Sequence, residues 1–150
     1  MSTVSDLTTH TGYWLRMVSN AISQGFARKV AEEGVTVAEW AVMRALYDAD
    51  AMAPSALAEK MGMTKGAISK LADRLLDKGL LERADNPDDK RAHNLSLTAA
   101  GRSKVPRLAT LADENEAEYF GPLTDKERET LDRILKAFVE RQGLKTIPVD

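Results

Sequence analysis

The sequence predicts a mainly α fold carrying one small β wing. Two observations point there. Apolar residues recur at three- and four-residue steps in six separate stretches, and two short runs flanking a cluster of turn formers alternate instead.

From Leu7 to about Val30, the residues Leu7, Trp14, Val18, Ala21, Ile22 and Phe26 describe one long amphipathic helix, and Gly34 ends it. Thr36 with Glu39 three residues later forms a capping box, and Val35 can pack on Trp40 as a staple, so a second helix runs over about 37–47. Pro54 suits a first turn and Gly62 a left-handed stop, which gives a short third helix over 54–61. Thr64 caps a fourth, reaching Lys78, whose apolar stripe is Ile68, Leu71, Ala72, Leu75 and Leu76; Gly79 marks its exit. Residues 81–84 and 93–97 read as two strands, joined through the turn formers Asn86, Pro87, Asp88 and Asp89. Thr98 caps a fifth helix towards Tyr119, in which Pro106 should introduce a kink. After Gly121 and Pro122, a second capping box at Thr124 and Glu127 opens the last helix, with Leu131, Ile134, Leu135 and Phe138 on one side.

The composition narrows the function. With 150 residues the chain is expected to form one unit, and with 43% hydrophobic but only 5% aromatic residues it reads as a soluble helical protein. No apolar run is long enough to span a bilayer and the first ten residues lack the pattern of a signal peptide, so a cytoplasmic protein without membrane contact is expected. There is no cysteine, which removes disulfides, thiolate nucleophiles and thiol redox sensing. His10 and His93 stand far apart without carboxylates at ligand spacing, so neither a metal nor a cofactor is expected. A net charge of −2 argues mildly against nucleic acid, unless positive charge is local. The acidic residues Asp113, Glu114, Glu116 and Glu118 gather late in the fifth helix, where a solvated face is their simplest role.

Helices three and four have the layout of a helix-turn-helix: Ala58 is small at the crossing, Gly62 sits in the turn, and Ile68 and Leu71 face inward. The hairpin that follows is placed as a wing. In these terms the fold is a winged helix-turn-helix lobe over 36–100, flanked by dimerisation helices over 5–32 and 101–145 whose apolar stripes call for burial against a second copy. At this point the chain resembles the MarR family of multiple-antibiotic-resistance regulators. The matching features are the segment TKGAISKLADRLLDKGLLER at 64–83, Asp89 and Arg91 as Asp-x-Arg in the wing, Leu97, Thr98 and Gly101 as Leu-Thr-x-x-Gly, the opening HTGYWLR and VTVAEWAVMRAL in the second helix.

The resemblance implies a homodimeric regulator, most often a repressor, that binds an inverted repeat in double-stranded DNA and is released by a small aromatic or phenolic effector. The residues agree with the DNA role. Ser55, Thr64, Lys65, Ser69, Lys70 and Arg74 offer short polar and basic side chains for the major groove and the phosphates. Lys90 is a further DNA-binding candidate in the wing, and Arg91 can enter the minor groove from its tip. Asp89 can hold the Arg91 guanidinium, or the two can be a plain surface ion pair. Arg74 and Arg83 are open between phosphate contact and an internal ion pair. For the effector the candidates are His10, Tyr13, Trp14, Arg16 and Met17 on the first helix and Trp40, Met43 and Arg44 on the second, although Trp14 and Trp40 equally suit a core. Two other classes are weighed. A small enzyme lacks any grouped nucleophile and base, and a winged helix that binds only protein keeps the fold without the DNA.

Overall fold

The computed structural model describes residues 3–149, and for residues 89–92 the backbone alone. Among the described residues a 3-10 turn, Leu7–Thr9, leads into α1 (Thr11–Ala31), α2 (Val37–Tyr47), α3 (Pro54–Met61), α4 (Lys65–Asp77), strands β1 (Leu81–Asn86) and β2 (Asp89–Leu97), then α5 (Ala99–Phe120) and α6 (Asp125–Gln142). The expected caps are in place. Thr36 and Glu39, and Thr124 and Glu127, each form the reciprocal box, and Gly34, Gly62 and Gly79 take left-handed backbone at helix ends; Gly143 does the same after α6. α5 is one continuous helix through Pro106, which is exposed and removes a single ladder donor. One expectation changes. The strands extend further than 81–84 and 93–97, leaving only Pro87 and Asp88 as the turn.

The hairpin pairs antiparallel from Leu81 with Leu97 to Asp85 with His93, and its register shifts before Asn86 pairs with Asp89. Leu81, Leu95 and Leu97 turn inward. A third segment joins this sheet at one point, where Met52 exchanges both backbone hydrogen bonds with Leu95, 2.9 and 2.8 Å, and so fixes the α2–α3 link to the wing's base. The motif at 97–101 has a structural cause as well. Thr98 Oγ1 donates to the Gly79 carbonyl at 2.7 Å and accepts from the Gly101 amide at 3.0 Å, and a Cβ at 101 would run into the carbonyl of Leu80. Only glycine lets α5 start this close to the end of α4.

The core joins α2, α3, α4 and the strands: Val42, Met43, Leu46, Leu57, Met61, Ile68 and Leu75 are completely buried. It continues past residue 100, since Val105, Leu108 and Leu111 of α5 belong to it, as does Val30 of α1. The start of α1 and the whole of α6 stand apart. Trp14, Leu15, Met17 and Val18 are about half exposed, α6 buries no residue, and Phe138 keeps 53% of its surface in solvent. Among the described residues no helix is long and apolar enough to cross a membrane.

Candidate nucleic-acid interface and ligand cavity

The Thr64 hydroxyl accepts from the Ala67 amide at 3.1 Å, so α4 begins sharply at Lys65. Ile68, Leu71, Ala72 and Leu75 take its inner side, which leaves Thr64, Lys65, Ser69, Lys70 and Arg74 exposed on the outer one. Lys65 and Ser69, and Lys70 and Arg74, are each one helical turn apart, so they are neighbours on the surface. Among the described residues Lys65, Lys70 and Arg74 make no ion pair, whereas Arg83 lies 3.5 Å from Asp73 in an exposed pair. Such a pair contributes only about 0–1 kcal/mol. Ser55 is exposed in the first turn of α3. Asp89, Lys90 and Arg91 stand on the strand just past the Pro87 and Asp88 turn, and their side chains lie outside the described residues.

α4 is braced from behind by a buried carboxylate. Glu39 is completely buried; its Oε1 accepts from the Thr36 amide at 2.7 Å and from Lys78 Nζ at 2.8 Å, and Lys78 also donates to the Gly34 carbonyl at 2.9 Å. Lys78 is the residue that closes α4, so one ion pair ties the end of that helix to the α1–α2 corner. Burial pushes the Glu39 carboxyl up, but the hydrogen bonds from Lys78 and Thr36 and the lysine's charge outweigh it and hold the group below the usual carboxylate range. The capping box was legible in sequence; the lysine, 39 positions away, was not.

A cavity of about 550 Å³ lies between α1, α2 and α5. Ile22, Phe26, Val37, Trp40, Ala41 and Ala112 make its apolar walls, with Phe26 and Trp40 meeting edge to face at 6.5 Å. Arg44 and Lys60 bring cations to it, and Asp48 and Glu116 bring carboxylates: Arg44 pairs with Asp48 at 2.9 Å and Lys60 donates to the Ala45 carbonyl at 3.2 Å. At its α5 side the buried Asn115 accepts from Lys29 at 3.0 Å and donates to the Ile22 carbonyl at 3.2 Å. The volume, apolar walls and few polar groups suit a one- or two-ring organic molecule. Among the described residues no group of His, Asp or Glu could hold a metal ion.

Of the effector candidates, Trp40 and Arg44 line this cavity. Met43 does not: residues 37, 40, 41, 44, 45 and 48 form one stripe of α2, and Met43 falls about a third of a turn away, fully buried in the core. His10, Tyr13, Trp14, Arg16 and Met17 stand at the start of α1, outside the lining, where Tyr13 and Trp14 pack edge to face at 5.0 Å and the Trp14 indole donates to the Thr8 carbonyl. Sequence reasoning missed Lys60, Ala112 and Asn115. Asn115 did leave a signal, a polar residue on the apolar stripe of Leu108 and Leu111.

A helix-turn-helix with a free basic outer face, followed by a wing, defines a winged-helix DNA-binding regulator. A family model described as "MarR family" matches residues 33–92. The chain is 30% identical over 126 residues to a transcriptional regulatory protein for the hcr operon of Thauera aromatica, covering 83% of this chain and 76% of that protein. It is also 30% identical over 113 residues to the HTH-type transcriptional repressor MdtR of Bacillus subtilis, covering 75% and 73%. A MarR variant of Escherichia coli in complex with operator DNA superposes with a TM-score of 0.77 at 27% identity, over 85% of this chain and 92% of that one. The chain belongs to the MarR family, and its relatives are transcriptional regulators rather than enzymes.

Proposed function

We propose that the chain is a homodimeric repressor that grips an inverted repeat in double-stranded DNA with two copies of α4 and releases it when a small aromatic or phenolic anion enters the cavity. The observation that carries the DNA part is the outer face of α4, where Lys65, Ser69, Lys70 and Arg74 are exposed and, among the described residues, the three cations have no internal ion pair. The exposed apolar residues of α1 and α6 support the dimer, with 5–32 and 101–145 as its helices around a DNA-binding lobe at 36–100. Repression is the role named for MdtR. For the effector, an aromatic ring stacks against Trp40 and Phe26 while its anionic group meets Lys60 and Arg44. His10, Tyr13, Trp14 and Arg16 lie outside its lining.

Sites selected from a random DNA pool test the reading. The enriched sequence should be an inverted repeat with half-sites about 10 base pairs apart, and electrophoretic shifts should weaken steeply with salt. Equal affinity for selected and random DNA at physiological salt overturns it.

A further inference from the structure

Beyond α6 the chain turns at Gly143 and runs back against the helix-turn-helix. Ile147 donates its amide to the Met61 carbonyl at 3.1 Å, and Thr146 Oγ1 donates to the Gly62 carbonyl at 3.2 Å. Both acceptors lie at the C-terminal end of α3, where helix carbonyls have no partner within the helix. The approach is close: a Cβ on Gly62 would stand 2.9 Å from the Lys145 carbonyl oxygen and from Thr146 Cα. The same short segment faces the cavity, because Ile147 and Pro148 line it and Ile147 packs on the core.

One six-residue stretch therefore touches the cavity with Ile147 and Pro148, and the C-terminal end of α3 with the Ile147 amide and the Thr146 hydroxyl. Met63 follows at once, and Thr64 caps the recognition helix. The other walls are helices anchored in the core, whereas these two hydrogen bonds and the Ile147 contact hold the segment. We infer that residues 144–149 form a strap that closes on a ligand in the cavity and transmits its presence to the turn that sets the start of α4. The cavity is roomy enough with the strap in place, so a ligand gains contact with Ile147 and Pro148 rather than expelling them. Occupancy then pins the strap, and the strap pins the Met61 and Gly62 carbonyls. This deepens the reading of the cavity as an effector site and rests on it.

The test uses the full chain and the fluorescent aromatic anion 1-anilinonaphthalene-8-sulfonate. Ala41→Trp fills the cavity from α2 and should abolish binding; unchanged binding there means that the cavity is not the site, and the strap falls with it. Ile147→Asn removes the apolar contact without adding charge and should weaken binding about tenfold. Gly62→Asn is the sharper variant. Asparagine tolerates the left-handed backbone, yet its Cβ meets the strap, and Gly62 does not line the cavity. It should weaken the dye to a similar degree. In the parent the dye should also slow amide hydrogen exchange over residues 60–66, and in both strap variants that protection should vanish. If Ala41→Trp abolishes binding while Ile147→Asn and Gly62→Asn bind like the parent, the cavity stands and the strap is overturned.

Discussion

The α2–α4 region and the two terminal helices carry the same kind of apolar stripe, and the fold treats them in opposite ways. In α4, Ile68, Leu71 and Leu75 meet α2, α3 and the wing, and all three are buried. In α6, Leu131, Ile134 and Phe138 repeat at the same three- and four-residue spacing, and Ile134 and Phe138 remain exposed. An amphipathic stripe states that a face needs a partner, not which partner supplies it. Within one chain the middle helices find theirs, while the exposed apolar residues of α1 and α6 add up to a surface that a monomer rarely shows to water.

The largest effect that sharpens this contrast is in the core. Leu75→Ala removes a completely buried side chain and should cost about 2–5 kcal/mol in urea unfolding. The loss should be the same at every protein concentration. Ile134→Glu combined with Phe138→Glu should act otherwise: at micromolar concentration light scattering should report a dimer for the parent and a monomer for the double variant. Affinity for the selected inverted repeat should then fall about a hundredfold, since one half-site is gripped at a time. A double variant that stays dimeric places the interface elsewhere.

A smaller effect concerns the brace behind α4. The folded-state pKa of Glu39 lies below its unfolded value, so its contribution to stability is fully present above the ordinary glutamate range and is lost as pH falls through the folded value. Glu39→Gln should cost about 1–2 kcal/mol near neutrality, because Lys78 is partly solvated and its side of the pair is screened. Thermal melts from pH 7 down to pH 3 should show parent and variant converging. Parallel curves remove the ion pair as the cause.

Much of this architecture was legible in sequence because helix ends are local. Thr36 with Glu39, Thr124 with Glu127, and Gly34, Gly62 and Gly79 mark boundaries through bonds that span a few residues. The exposed face of α4 follows from its own periodicity. What escaped depends on contacts between distant segments: Lys78 on Glu39, Met52 on Leu95, Lys29 on Asn115, and the return of Ile147 to Met61. The cavity belongs to this second kind. Trp40 and Arg44 could be nominated from α2 alone, but Lys60 of α3 and Ala112 of α5 become neighbours only after these helices pack with α1 and α2.

The smallest expected effect lies in the wing, and its sign makes it informative. Arg91 is always charged and long enough to enter a minor groove, where the potential is most negative, and Asp89 sits two residues before it on the same strand. Arg91→Ala should weaken binding to the selected repeat by about tenfold, with dimerisation and melting temperature nearly unchanged. For Asp89→Ala two accounts disagree. Net charge alone predicts tighter binding, because a negative group near phosphates is gone. If Asp89 orients the guanidinium, its removal leaves a floppy arginine that must be ordered on docking, a cost of about 0.5–1.5 kcal/mol, and binding loosens by several-fold. Titrating both variants against one DNA at two salt concentrations separates these accounts, since a loss of charge changes the salt slope while a loss of order shifts affinity at constant slope. Binding by Asp89→Ala that equals or exceeds the parent shows that Asp89 does not position Arg91.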